Sequence, residues 1–112
     1  MAKIIMWSEV GGRQQQLDNL ISYSEAILAS AEIGDWVAAE EIQQRRKQAI
    51  EAFFFQPPEA EESAAIASTI QTILAMDAKV TQLAREGRKL LMQEAATIAK
   101  THKQAGCYLT SY

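Results

Sequence analysis

Residues 33–55 read IGDWVAAEEIQQRRKQAIEAFFF, and this stretch decides the fold. Gly34 takes the left-handed conformation that closes a preceding helix at low steric cost. Asp35 offers a carboxylate to the free N–H groups of the next first turn. Trp36 is the first side chain placed to turn inward, so it is expected to be largely buried at the turn end. After it Ala39, Ile42, Arg46, Ala49, Ile50 and Phe53 recur at three- and four-residue steps and share one helical face. Glu40, Glu41, Gln44, Arg45, Lys47, Gln48 and Glu51 fall mostly elsewhere, with Glu41 and Arg45 in the favourable i,i+4 order. A two-residue break between long helices allows little except an antiparallel hairpin.

Working upstream, Leu17, Leu20, Ile21, Ser24, Ile27, Leu28 and Ala31 keep a helical period, which predicts a first helix over Arg13–Ile33. Its roughly 21 residues span about 31 Å and match the second helix, as a hairpin requires. Gly11-Gly12 separates it from residues 1–12, an extension carrying Ile4, Ile5, Met6 and Trp7. That apolar cluster is expected to dock on the bundle or to join an interface. Residues 13–112 are expected to form a single helical domain.

Downstream, Phe53-Phe54-Phe55 places three rings over about 200° of helix circumference, so they do not all face the first helix. Gln56-Pro57-Pro58 stops the second helix, because proline disfavours helical geometry in the residue before it. Pro58 suits the start of a third helix, with Glu59, Glu61 and Glu62 complementing its positive end. From Ala60 a stripe through Ala64, Ala67, Ile70, Ile73/Leu74, Asp77, Val80, Ala84, Gly87, Leu91, Glu94/Ala95 and Ile98 continues to about Lys103. So long an apolar stripe leaves two options. Either the helix bends back near Gly87 to give a four-helix bundle, or its distal half lies on another chain, a homo-oligomer. Gly87 lowers helix stability by about 1 kcal/mol relative to Ala without forcing a break.

Composition agrees with an all-α chain. Of 112 residues, 48% are hydrophobic, with five Gly and two Pro, too few turn residues for a sandwich or barrel. The formal charge of −3 argues against general nucleic-acid or anionic-membrane binding. No apolar run approaches the roughly 20 residues of a membrane span, and Lys3–Trp7 is too short for a signal-peptide core. A single cysteine, Cys107, fits a reducing compartment, and the cytoplasm is the expected location.

Catalytic signals are missing. His102 and Cys107 sit near the terminus, far short of the four ligands of a closed zinc site, and no cofactor or metal motif is present. Arg46 and Asp77 each fall on an apolar stripe, and an ion pair fixing helix register is the expected use. A phosphotransfer reading would need His-x-x-Lys-Gly, whereas His102-Lys103-Gln104-Ala105-Gly106 has Ala105 where the lysine belongs. A binding module or a structural bundle subunit of some assembly is the non-catalytic reading that remains.

The ordered set of features resembles the flagellar export chaperones of the FliT type. The matching residues are Ala31-x-x-Gly34-Asp35-Trp36, Ala39, Ile42, Arg45-Arg46, Ala49-Ile50 and Phe53-Phe54. The proline break, Leu74-Ala75-Met76-Asp77 on an alanine-rich helix, and a basic segment ending in Tyr108 complete the resemblance, which covers roughly residues 17–108. It implies binding of the C-terminal region of the filament-cap subunit, keeping that client soluble until the export apparatus takes it. In some bacteria it also implies binding of the flagellar master transcription regulator. On the apolar stripe, Ile66, Ile70, Ile73, Leu74 and Val80 are the expected client-binding residues. The basic segment with Leu91, Ala95, Ile98 and Tyr108 is expected to compete with the client as an autoinhibitory lid.

Overall fold

The computed structural model describes residues 2–110, and the side chains of residues 12–103. Among the described residues three α-helices form, α1 (Ala2–Glu32), α2 (Trp36–Phe55) and α3 (Ser63–Thr110), with a 3-10 turn at Ala60–Glu62. No strand occurs among the described residues, so the fold is all-α.

The turn between α1 and α2 forms from the signals in its sequence. Gly34 has φ 77°, and the amides of Gly34 and Asp35 donate to the carbonyls of Ala31 and Ser30 at 3.0 and 2.9 Å. These bonds satisfy carbonyls that the end of α1 would otherwise leave unpaired. Asp35 Oδ1 accepts from the Ala38 amide at 3.1 Å and so caps α2. Arg46 meets Ser24, while the later Phe53 meets the earlier Arg13, so α1 and α2 run antiparallel.

The molecule has two compact units, Met1–Thr81 and Gln82–Tyr112. In the first unit, Leu17, Leu20, Phe53, Ile66 and Ile73 make the core, with Ala49, Ile50 and Ala65 packed around them. Phe53 and Ile27 are completely buried. Towards the turn the buried positions shrink to Ala31 and Ala39, which lets the two backbones approach closely. Glu62 meets Arg13 and Asp77 meets Arg46, so this part of α3 runs antiparallel to α2. In the second unit the side chains from Arg88 to Lys103 are exposed, while Leu83 and Gly87 are half-buried.

Several sequence expectations need correction. The first helix starts at Ala2 and passes through Gly11-Gly12 without a break, where a start at Arg13 was expected. Glycine lowers helix propensity without forbidding the helix. The side chains of Ile4, Ile5, Met6 and Trp7 lie outside the described set. The third helix starts at Ser63 and not at Pro58, because Glu62 accepts the Glu59 amide at 2.9 Å and holds a separate 3-10 turn. Gly87 lies inside one continuous helix, so the separate fourth helix does not form.

Trp36 is also not the buried anchor its position suggested. It is 39% exposed, because the inward places at that end are filled by Ile27, Ala31 and Ala39. Two helix backbones held close by alanine leave no room for an indole between them. Glu41 and Arg45 form no ion pair among the described residues, as expected of exposed side chains in water.

Candidate functional site

An apolar groove opens along the first unit, with a volume of about 280 Å³. α1 contributes Leu17 and Leu20, and α2 contributes Ile50 and Phe54. α3 contributes Ile66, Thr69, Ile70, Ile73 and Leu74. Helical spacing sorts these residues into floor and rim. Ile66, Thr69 and Ile73 step by three and four, point at the hairpin and are buried. Ile70 and Leu74 lie one position further round the helix and remain 42% and 61% exposed. Phe54 stands on the opposite rim, exposed, with its ring edge-on to buried Phe53 at 5.0 Å between centroids.

Polar residues bound the groove. Arg46 Nη1 donates to Asp77 Oδ1 at 2.8 Å and to Ser24 Oγ at 3.0 Å. Ser24, fully buried, donates in turn to the Leu20 carbonyl at 2.9 Å. No described buried side-chain polar atom lacks a partner. The groove therefore offers its visitor apolar surface and a closed polar edge, with no stranded donor that would demand a specific polar ligand.

Arg13 closes the end of the hairpin remote from the turn. Its Nε donates to Glu62 Oε2 at 2.7 Å and its Nη2 to Oε1 at 3.2 Å, a two-pronged pair. Its Nη1 donates to the Phe53 carbonyl at 2.7 Å, one of the carbonyls a helix end leaves open. The guanidinium also lies 3.7 Å from the centroid of the Phe53 ring. The Arg13 hydrogen bond, followed by the Glu59 amide, holds the Glu62 carboxyl below the ordinary carboxylate range.

Four of the five expected client-binding residues, Ile66, Ile70, Ile73 and Leu74, thus line one groove. Val80 is buried and is not part of its lining. Sequence reading did not single out Phe54 from the triple-phenylalanine run as the rim residue, and it missed Arg13 as a bracket. The triple-phenylalanine run was the available signal for Phe54, since three adjacent rings do not all face inward. Leu91, Ala95 and Ile98 are exposed on the second unit, and the Tyr108 side chain lies outside the described set. That unit also has a shallow depression along Arg85, Arg88, Lys89, Met92 and Ala96, all from one helix face.

Among the described residues no cluster of three or more His, Cys, Asp or Glu is placed to hold a metal ion. His102 is exposed. No described helix is long and apolar enough to cross a membrane.

Neither the curated proteins nor the solved structures gave a match to this chain. Residues 14–110 match the family model of flagellar protein FliT, which takes in α1 from Gln14 onward, α2, the proline break and all of α3. With that span matched from end to end, the chain belongs to the FliT family of flagellar export chaperones.

Proposed function

We propose that the groove holds an amphipathic helix from the C-terminal region of the filament-cap subunit and keeps that subunit from assembling before export. The observation that carries this reading is the rim. Ile70, Leu74 and Phe54 stay exposed above a floor that is already closed, so they are available to a partner without loss of core packing. A client helix laid along the groove would bury them and gain roughly 1.5–3 kcal/mol for each side chain fully covered, before the costs of association. Masking the same helix on the client removes the surface through which it polymerises. No chemistry is required of the chaperone. This role places the protein in the cytoplasm, handing its client to the export apparatus.

Two further expectations stand as proposals beside it. The flagellar transcription regulator is a second partner of the same kind, and the segment with Leu91, Ala95 and Ile98 competes with the client for binding. Calorimetric titration of the full chain with a peptide from the cap subunit's C-terminal region tests the central claim. Saturable binding that Leu74→Ser weakens at least tenfold supports it. Absence of binding, or binding indifferent to Ile70, Leu74 and Phe54, leaves the chain as a bundle subunit with another role.

A further inference from the structure

At the tip of the hairpin, away from the groove, a second apolar surface stays uncovered. Ile33 is 80% exposed and Val37 75% exposed, and Trp36 stands between them in sequence with part of its indole in water. These side chains have nowhere to retract, since Ile27, Ala31 and Ala39 already fill the inward positions of the tip. The backbone beneath them is fixed by the amide bonds of Gly34 and Asp35 and by the Asp35 cap. The surface is therefore rigid before any partner arrives, which lowers the ordering cost of binding.

Charge around the tip points to what covers it. Glu32, Asp35, Glu40 and Glu41 are all exposed. From Gln14 to Gln44 the chain has no Lys, Arg or His at all. No described side-chain hydrogen bond or ion pair engages the carboxylates of Glu32, Glu40 or Glu41. An exposed apolar patch with exposed carboxylates beside it in sequence attracts cations and repels acidic surfaces. The exposed indole adds a face on which a lysine or arginine can stack.

We infer that the hairpin tip is a docking surface, separate from the client groove, for a cationic amphipathic segment of a partner protein. Apolar side chains of the partner cover Ile33, Trp36 and Val37, while its lysines and arginines face the four carboxylates. Added salt weakens the contact, because the charges are at the surface.

The test uses the full chain with Trp7→Phe, which leaves Trp36 as the sole tryptophan of the two. The probes are a synthetic amphipathic helix of leucine and lysine and its leucine–glutamate counterpart, followed by Trp36 emission. The expected result is a saturable blue shift with the lysine peptide and at least tenfold weaker binding of the glutamate peptide. Ile33→Ser/Val37→Ser, at exposed positions with helicity checked by circular dichroism, is expected to weaken the lysine peptide at least tenfold. Ile70→Ser/Leu74→Ser is expected to leave it unchanged. Unaltered affinity in the tip variant, loss only in the groove variant, or equal binding of the two peptides overturns the inference. A dimer in sedimentation that the tip variant abolishes also overturns it, by assigning the tip to a second copy. Failure here leaves the groove reading untouched, since that rests on different residues and a different peptide.

Discussion

Arg46 Nη1 stands 2.8 Å from Asp77 Oδ1, and the same nitrogen reaches Ser24 Oγ at 3.0 Å. One guanidinium therefore ties α1, α2 and α3 together at the edge of the apolar groove. The Arg46 side chain is the more buried partner and Asp77 the more exposed. That asymmetry sets the cost of breaking the pair. Asp77→Ala leaves a half-buried cation with only the Ser24 hydroxyl, and is expected to cost about 1–3 kcal/mol. Denaturant midpoints of the two single variants and the double variant give the coupling. A coupling indistinguishable from zero shows that the pair does not hold the register.

Glu62 provides a pH dependence with a definite sign. Its carboxyl is held below the reference value of 4.5, chiefly by the Arg13 hydrogen bond and then by the Glu59 amide. The contribution is complete above pH 4.5 and is lost as pH falls through the lower folded value. The stability difference between wild type and Glu62→Gln should stay constant from neutral pH down to 4.5 and shrink from there as pH falls through the lower folded value. Arg13→Ala should weaken the dependence, leaving the part that the Glu59 amide supplies. A difference that persists unchanged in strong acid contradicts the assignment.

Phe53 and Trp36 are expected to respond in opposite ways to truncation. Phe53 is fully buried beneath Arg13 and at the centre of the core, so Phe53→Ala should cost about 3–5 kcal/mol. Trp36 keeps much of its ring in water, and Trp36→Ala should cost less, about 1 kcal/mol. Thermal melts of both variants decide the order.

Leu74→Ser removes an exposed rim residue, so the melting temperature should hold while cap-peptide affinity falls at least tenfold. Ile73→Ser, one position round on the buried floor, should instead unfold the domain or lower its stability by about 2–5 kcal/mol. Parallel losses of stability and affinity at both positions would mean that the rim is ordinary core.

Removal of residues 88–112 is expected to tighten cap-peptide binding by about 1–3 kcal/mol, the size of ordinary allosteric couplings. Calorimetry on the truncated chain, with its helicity verified, gives the answer. Unchanged or weaker binding sinks the competing-segment proposal.

The sequence by itself determined the all-α class, the turn and the pairing of the first two helices, though not where the first and third helices begin. Those features depend on local chemistry: a glycine able to take positive φ, a carboxylate one residue later, and apolar side chains at helical period on α1 and α2. Which side chains of α3 became floor and which became rim was decided by tertiary packing, because Ile66, Ile70, Ile73 and Leu74 all satisfy the same periodicity. Only the angle at which the helix meets Leu17, Leu20 and Phe53 separates Ile73 from its neighbour Leu74. Trp36 shows the same limit, since its register pointed inward but the alanine-lined closeness of the helices kept the indole out. Arg13 was equally illegible, because its partners Phe53 and Glu62 are distant in the chain and meet it only when the hairpin closes. Periodicity is a property of one helix, whereas burial and ion pairing require a second helix at a fixed distance and angle.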